Sequence, residues 1–208
     1  MIRKAPIKRK TTETQIEGML NVDGFGQKKI KTPIGFLTHM LELFTFHGNF
    51  DIDIEVKGDT HVDNHHTNED IGIAIGKSFS EALGEERSGI KRFGSAFAPM
   101  ESTLGHSVID ICGRYNLVLL LNGKTGGDLP PISNELEYKF VDLHHFLESF
   151  AKHLKATLIV NVTTYSGSAE MHEVAETVFK SLGMALDQAT TIDPRRQGQV
   201  PSTKGIID

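Results

Sequence analysis

Two nine-residue stretches decide how this chain reads: HMLELFTFH from His39 to His47, and HFLESFAKH from His145 to His153. Both fit His-x-Leu-Glu-x-Phe-x-x-His, and they lie 106 positions apart. Around the first, Phe36, Leu37, Met40, Leu41, Leu43 and Phe44 recur at helical spacing, which predicts a helix over 36–46. Before it, Thr14, Ile16, Gly18, Leu20 and Val22 alternate with mostly polar residues as an imperfect strand. Asp23-Gly24 supplies a turn, and Gln27 to Lys31 returns as a second strand before Pro33 and Gly35 break it. After it, FDIDIEVKG puts Phe50, Ile52, Ile54 and Val56 on one face of a half-buried strand. The polar loop GDTHVDN then leads into HHTNEDIGIAIGKSFSEALG, a helix stopped by Gly84.

The second half repeats this order. RFGSAFAP and LGHSVIDICGRYNLVLLLN read as strands, 135–153 as a helix, ATLIVNVTT as a strand and 168–189 as a helix. The second helices also correspond: His65-His66-x-x-Glu69 matches His172-Glu173-x-x-Glu176 at a spacing of 107. Each half is therefore expected to be strand, strand, helix, strand, helix, with boundaries at 1–90 and 91–190. A tail, 191–208, is rich in breakers and charge. Two copies of one unit predict an α+β architecture with helices gathered between two sheets.

Composition narrows the function. The chain has 208 residues, 38% apolar and 24% charged, as ordinary soluble globular proteins have. A net charge of −5 gives no general attraction to nucleic acid or to a membrane surface. The single cysteine, Cys112, excludes an internal disulfide framework, suits a reducing interior and is expected to be buried. The longest apolar run, LVLLL at 117–121, is far short of a membrane span. The basic start IRKAPIKRK lacks the apolar core of a secretory signal, so a cytoplasmic location is expected.

Ten histidines ask for a chemical explanation. On a helix, Glu69 is within reach of the faces of both His65 and His66, which point about 100° apart. One motif can then serve two metal ions. His172 and Glu176 repeat the device, with Glu173 in the place of His66. With His39 and His145, the set holds imidazoles and carboxylates and no thiolate, which suits Mn, Fe, Co or Zn. The plain alternatives are a solvated or capping His pair and packing histidines on the first helices. His47 and His153 repeat too and are read as structural helix ends. Glu42 and Glu148 fit either structural or supporting roles. Arg92, Arg114, Lys180 and the PSTKG segment (Pro201 to Gly205) are candidate phosphate binders. PSTKG is no P-loop, because the glycines before the lysine are missing. From the residues alone, the chain reads as a duplicated di-metal protein and a candidate binder of an anionic small molecule.

The segments KTTET, GFLTHMLELFTFHGNFD, GDTHVDNHHTNEDIGIAIG, KRFGSAFAPMESTL, DICGRY, HHFLESF, HEVAETVFKSL and VPSTKG run in the order of the imidazoleglycerol-phosphate dehydratase family, which the chain resembles. The resemblance implies a duplicated unit with helices between two mixed sheets, similar to ribosomal protein S5 domain 2. It implies a large octahedral homo-oligomer with active sites between subunits, each around two Mn²⁺ ions. The implied reaction removes water from D-erythro-imidazole-glycerol phosphate to give imidazole-acetol phosphate, a step of histidine biosynthesis. Carried over by position, His39, His66 and Glu69 are implied ligands of one metal, and His65, His145, His172 and Glu176 of the other. Glu13 matches an acid/base, and His65, Glu69, His172 and Glu176 belong with it to the catalytic set. Arg92, Arg114, Lys180, Ser202 and Lys204 match phosphate contacts. Glu173 stands where the family has a histidine and is expected to ligate metal in its stead. Thr38, Leu43 and Glu101 also differ from the usual family residues. A phosphatase on the same scaffold, or a non-catalytic metal-binding assembly, would share most of this pattern.

Overall fold

The computed structural model describes residues 3–125, 132–133, 137–166, 168–196 and 198–207. The first half runs β1 (Lys4–Lys10), β2 (Thr14–Asn21), β3 (Lys28–Lys31), α1 (Gly35–His47), β4 (Asp51–Gly58) and α2 (His65–Leu83). The second runs β5 (Phe93–Met100), β6 (Thr103–Asp110), β7 (Asn116–Leu121), β8 (Ile132–Ser133), α3 (Phe140–Leu154), β9 (Thr157–Thr164), β10 (Ala169–Glu170) and α4 (Met171–Thr190). A 3-10 turn, Pro194–Arg196, follows.

The two main sheets have one topology. Their strand orders are β1-β2-β4-β3 and β5-β6-β9-β7, the second being the first with each strand replaced by its counterpart. In both, two antiparallel pairings are followed by one parallel pairing. The register agrees as well: Thr14 opposes Gly58 and Thr103 opposes Thr164, the first residue of one strand facing the last of another. Inner faces carry the apolar residues, such as Ile16, Leu20, Ile52 and Ile54 on one sheet and Ile109, Leu158, Val160 and Val162 on the other. Between them the helices share an aromatic core that crosses the repeat. Phe150 of the second half lies 6.0 Å from both Phe44 and Phe79 of the first. The α+β fold with helices between two mixed sheets is as expected.

Three local readings are corrected. Each main sheet takes three strands from ahead of its half's first helix, not two. The strand missed at the start is β1, which takes up Lys4–Lys10 of the basic IRKAPIKRK segment. Only Ala5 and Ile7 of it are buried, too few to show a period of two. Its Pro6 is tolerated because β1 is a sheet edge. In the second half, LGHSVIDICGRYNLVLLLN breaks into β6 and β7 at Gly113, whose φ of 89° suits only a turn. Helix α3 begins at Phe140 rather than 135; Glu135 lies outside the described residues. Asp142 fixes that start, its Oδ2 accepting the Lys139 backbone N–H at 2.7 Å.

Candidate functional site

The helices cross between the halves. Helix α1 lies on α4, and α2 on α3, so each helix bearing the nine-residue pattern meets the other half's His-x-x-x-Glu helix. Glycines set the close approach. A Cβ on Gly183 of α4 would stand 2.6 Å from the Phe44 carbonyl oxygen of α1. On α2, a Cβ at Gly72 would stand 2.8 Å from the Phe146 oxygen, and one at Gly76 2.5 Å from the Phe150 oxygen. This crossing was not legible in the periodicities, which show which face is apolar but not which helix covers it.

Two clusters result. In the first, His172 Nε2 lies 3.0 Å and His39 Nε2 3.8 Å from Glu176 Oε2. One donor atom from each of the three lies within 4.8 Å of the others. Burial pushes the Glu176 carboxyl up, but the hydrogen bond and charge of Lys180, with His172, outweigh it and hold it below the usual range. Phe36 sets its ring edge-on to His172 with centroids 5.8 Å apart. In the second cluster, His65 Nδ1 and His145 Nδ1 are 2.9 Å apart, and His65 Nε2 is 3.8 Å from Glu69 Oε2. An open depression of 470 Å³ adjoins it, lined by His65, His145, Asp63, Lys139 and Asp142 among others. A larger hollow of 950 Å³ lies beside Leu83 and Ile192 and holds neither cluster.

His66 turns away from both, as its 100° offset from His65 requires. Its Nδ1 is 3.1 Å from Asp59 Oδ2 and 3.8 Å from Glu13 Oε2. The Asp59 hydrogen bond raises the His66 pKa above its ordinary value. Glu13 sits on a turn held by Thr11, whose Oγ1 accepts the Glu13 N–H at 3.1 Å and the Thr14 N–H at 2.9 Å. Thr14 donates in turn to Asp70, which is also paired with Arg9 at 2.6 Å. Sequence reasoning missed Asp59 and Asp70, although both lie inside GDTHVDNHHTNED. Their aspartates were overshadowed by the histidines.

Within one chain, therefore, His39 gathers with His172 and Glu176, while His66 gathers with Asp59 and Glu13. Neither four-ligand nor three-ligand set implied by the resemblance is assembled by a single copy. Glu173 joins neither cluster among the described residues. It is buried, and its Oε2 accepts from Thr103 Oγ1 at 2.5 Å.

The basic residues divide in two places. Lys180 bonds Glu176. Arg92 forms a two-pronged pair with Asp110, at 2.6 and 3.0 Å, and donates to the Pro201 carbonyl at 3.1 Å. That last bond brings PSTKG to Arg92. Within the segment, Ser202 Oγ accepts the Lys204 N–H at 3.2 Å. Arg114 and Lys204 are exposed. Beside Arg114, Tyr115 donates to Glu148 at 2.8 Å, and burial with that carboxylate pushes the phenol up to about 12.

Fold and clusters define a duplicated α+β protein with candidate metal-binding groups, one of them built from both halves. A model of the imidazoleglycerol-phosphate dehydratase family matches residues 32–186. The imidazoleglycerol-phosphate dehydratase of Bacillus subtilis strain 168 is 47% identical over 209 residues, covering 99% of this chain and 100% of that one. That of Geobacillus kaustophilus strain HTA426 is 46% identical over 208 residues, with both chains covered in full at 100%. Among solved structures, the Pyrococcus furiosus dehydratase superposes with a TM-score of 0.78 at 31% identity, covering 96% of this chain and 99% of that one. The Staphylococcus aureus N315 structure gives 0.72 at 28% identity, covering 91% and 99%. The chain belongs to the imidazoleglycerol-phosphate dehydratase family, hydro-lyases of histidine biosynthesis. Among the described residues no helix is long and apolar enough to cross a membrane.

Proposed function

We propose that this chain dehydrates D-erythro-imidazole-glycerol phosphate to imidazole-acetol phosphate with two Mn²⁺ ions per active site, in sites shared between subunits of a homo-oligomer. The observation that carries the metal reading is the crossed pair of imidazole–carboxylate clusters. Their donors suit Mn²⁺, which accepts nitrogen and oxygen ligands and leaves positions for water or substrate. Each cluster offers fewer donors than an octahedral ion takes. His66 points away from both, so sets such as His39, His66 and Glu69 call for side chains from a neighbouring copy. A second copy is also favoured by the outer face of β5-β6-β9, where Phe93, Phe97 and Ile159 are exposed. The repeats are best bounded at 1–90 and 91–190, with 191–208 lending Ser202 and Lys204 to the site. The lone buried Cys112 suits a reducing, cytoplasmic setting.

The chemistry takes a proton from one carbon and hydroxide from its neighbour, and the resulting enol becomes a ketone. The proton is not acidic, so negative charge on the substrate must be stabilised. Bound metal supplies that as a Lewis acid. The Glu13 carboxylate, exposed on its Thr11-held turn, is the candidate that takes or returns the carbon-bound proton. Asp59 orients His66 and favours the proton on it when no metal is bound. Arg92, Arg114, Lys180, Ser202 and Lys204 are the proposed phosphate contacts, with the Arg92–Pro201 bond holding the tail in place. Turnover of imidazole-glycerol phosphate with added Mn²⁺ tests this, read as imidazole-acetol phosphate against a chelated control. Chelator-sensitive product is expected. Inorganic phosphate in place of the ketone would shift the reading to a phosphatase.

A further inference from the structure

Within the repeated motif, His65-His66-x-x-Glu69 against His172-Glu173-x-x-Glu176, the halves depart from each other at Glu173. By the duplication it is the counterpart of His66, yet the two side chains live in different surroundings. His66 has a side chain 36% exposed and reaches the carboxylates of Asp59 and Glu13. Glu173 is 8% exposed and reaches hydroxyls. Its Oε2 accepts from Thr103 Oγ1 at 2.5 Å and from Ser102 Oγ at 3.5 Å.

Thr103 has a counterpart too. It opens β6 opposite Thr164, as Thr14 opens β2 opposite Gly58. Thr14 Oγ1 also donates to a carboxylate near the start of its half's second helix, that of Asp70. Each half thus ties the hairpin between its first two strands to the helix that carries His-x-x-x-Glu. The first half ties it through Thr14 and Asp70. In the second, the position of Asp70 is held by Thr177, whose hydroxyl is spent on the Val174 carbonyl at 2.9 Å. The tie has moved one helical turn earlier, onto Glu173. Three further features suit it there. Glu173 sits in the first turn of α4, where the helix dipole favours a negative charge. The hairpin turn it holds contains Glu101 in the left-handed region, at φ 48°. That turn is also fastened from the other side, the Ser102 carbonyl accepting the Tyr165 N–H at 2.9 Å.

We infer that Glu173 is a positioning residue and not a metal ligand: it has taken over the task of Asp70, clamping the β5–β6 hairpin to α4 so that His172 and Glu176 keep their aim. The metal half of this inference rests on the di-metal reading above; the clamp does not. The experiment is Mn²⁺ affinity by calorimetry on the full-length assembled protein, with Glu173→Gln and Thr103→Val as the informative pair. Gln keeps an oxygen that accepts from Thr103, so Glu173→Gln is expected to hold Mn²⁺ within about threefold of the parent. Thr103→Val removes the donor and touches no metal, and is expected to weaken Mn²⁺ about tenfold, the scale of lost supporting hydrogen bonds at metal sites. The reverse pattern, Gln weakening Mn²⁺ tenfold or more and Val leaving it unchanged, would overturn the inference and make Glu173 a ligand. The clamp has its own readout in the thermal midpoints of Glu173→Ala, Thr103→Val and the double variant. Removing both partners should cost little more than removing one. Additive losses overturn the clamp. If the parent itself binds no Mn²⁺, the di-metal reading fails, and this cycle still decides the clamp.

Discussion

The two crossed clusters descend from one pattern and have come to differ in charge. Where α1 meets α4, Glu176 has a side chain only 9% exposed, and Lys180 bonds it one turn later. Where α3 meets α2, Glu69 is 44% exposed, and the place matching Lys180 is held by the buried Ile73. The first cluster is a carboxylate held below its usual range, flanked by Lys180 and the imidazoles of His172 and His39. In the second, two imidazoles face each other at 2.9 Å with the carboxylate to one side. Duplication kept the spacing of the histidines and glutamates, and their surroundings differ. The halves thus share the placing of their donor atoms and differ in the residues that tune them.

The largest expected effect asks whether both clusters are needed. His172→Ala and His65→Ala should each lower Mn²⁺ content and kcat/KM by at least about a hundredfold, more than loss of a supporting contact costs. His47→Ala, at the far end of α1, should keep both near the parent level. Metal analysis with a turnover assay checks this. A drop confined to one cluster would leave a single-metal site, and equal losses in all three would place His47 in the site as well.

The contrast between halves extends to the sheets. The outer face of the first carries Lys29–Asp53 and Lys31–Glu55 pairs, each at 3.0 Å, and suits water. The outer face of the second exposes Phe93 and Phe97, each 59% accessible. Phe97→Asp should therefore dissociate the proposed homo-oligomer, read as a loss of mass in light scattering, whereas Lys31→Ala should not. An unchanged mass for Phe97→Asp would move the interface elsewhere.

Next in size are the crossings themselves. An added methyl at Gly76 meets the Phe150 oxygen at 2.5 Å, and one at Gly183 meets the Phe44 oxygen at 2.6 Å. Overpacking of this kind costs about 1–3 kcal/mol. Gly76→Ala should open the His65–His145 pair and leave the Glu176 cluster loaded, and Gly183→Ala should do the reverse. Denaturant midpoints with metal content per subunit read both effects. Identical metal losses in the two variants would show that the clusters are not independent.

Much of this was legible in the sequence, for definite reasons. The nine-residue repeat has five matched side chains on a helix-length segment, so α1 and α3 could be paired before any coordinates. β4 was plain because Phe50, Ile52, Ile54 and Val56 alternate with charge. β1 was hidden because its outward residues outnumber Ala5 and Ile7. The candidate donors His39, His65, His145, His172, Glu69 and Glu176 could be named from spacing. Their partnership could not, since it depends on the helix crossing that Gly72, Gly76 and Gly183 permit. Nor could the bonds of Lys180 to Glu176 and of Thr103 to Glu173, which join or bury groups that spacing alone leaves free.

The smallest expected effect separates histidines of opposite sign. Burial lowers the pKa of His47 and His153 from the usual 6.5. His153 Nδ1 also lies 2.8 Å from the Ser149 carbonyl, so the neutral ring donates there. A lowered imidazole pKa means the fold favours the neutral form. That stability is complete above pH 6.5 and is lost as pH falls through 6.5 toward the folded value. His66 runs the other way. Asp59 raises its pKa, so its contribution is complete below 6.5 and is lost as pH rises through the raised value. In metal-free protein the two trends oppose each other. Thermal midpoints between pH 5 and pH 8 on His153→Asn and Asp59→Asn divide them (both bounds are about 1.5 units from the ordinary imidazole value). His153→Asn should flatten the loss on acidification, and Asp59→Asn should flatten the loss on the alkaline side. Both variants flattening the same limb would mean that the trailing histidines are not held neutral by burial, and that the difference between them and the clustered ones is only one of place.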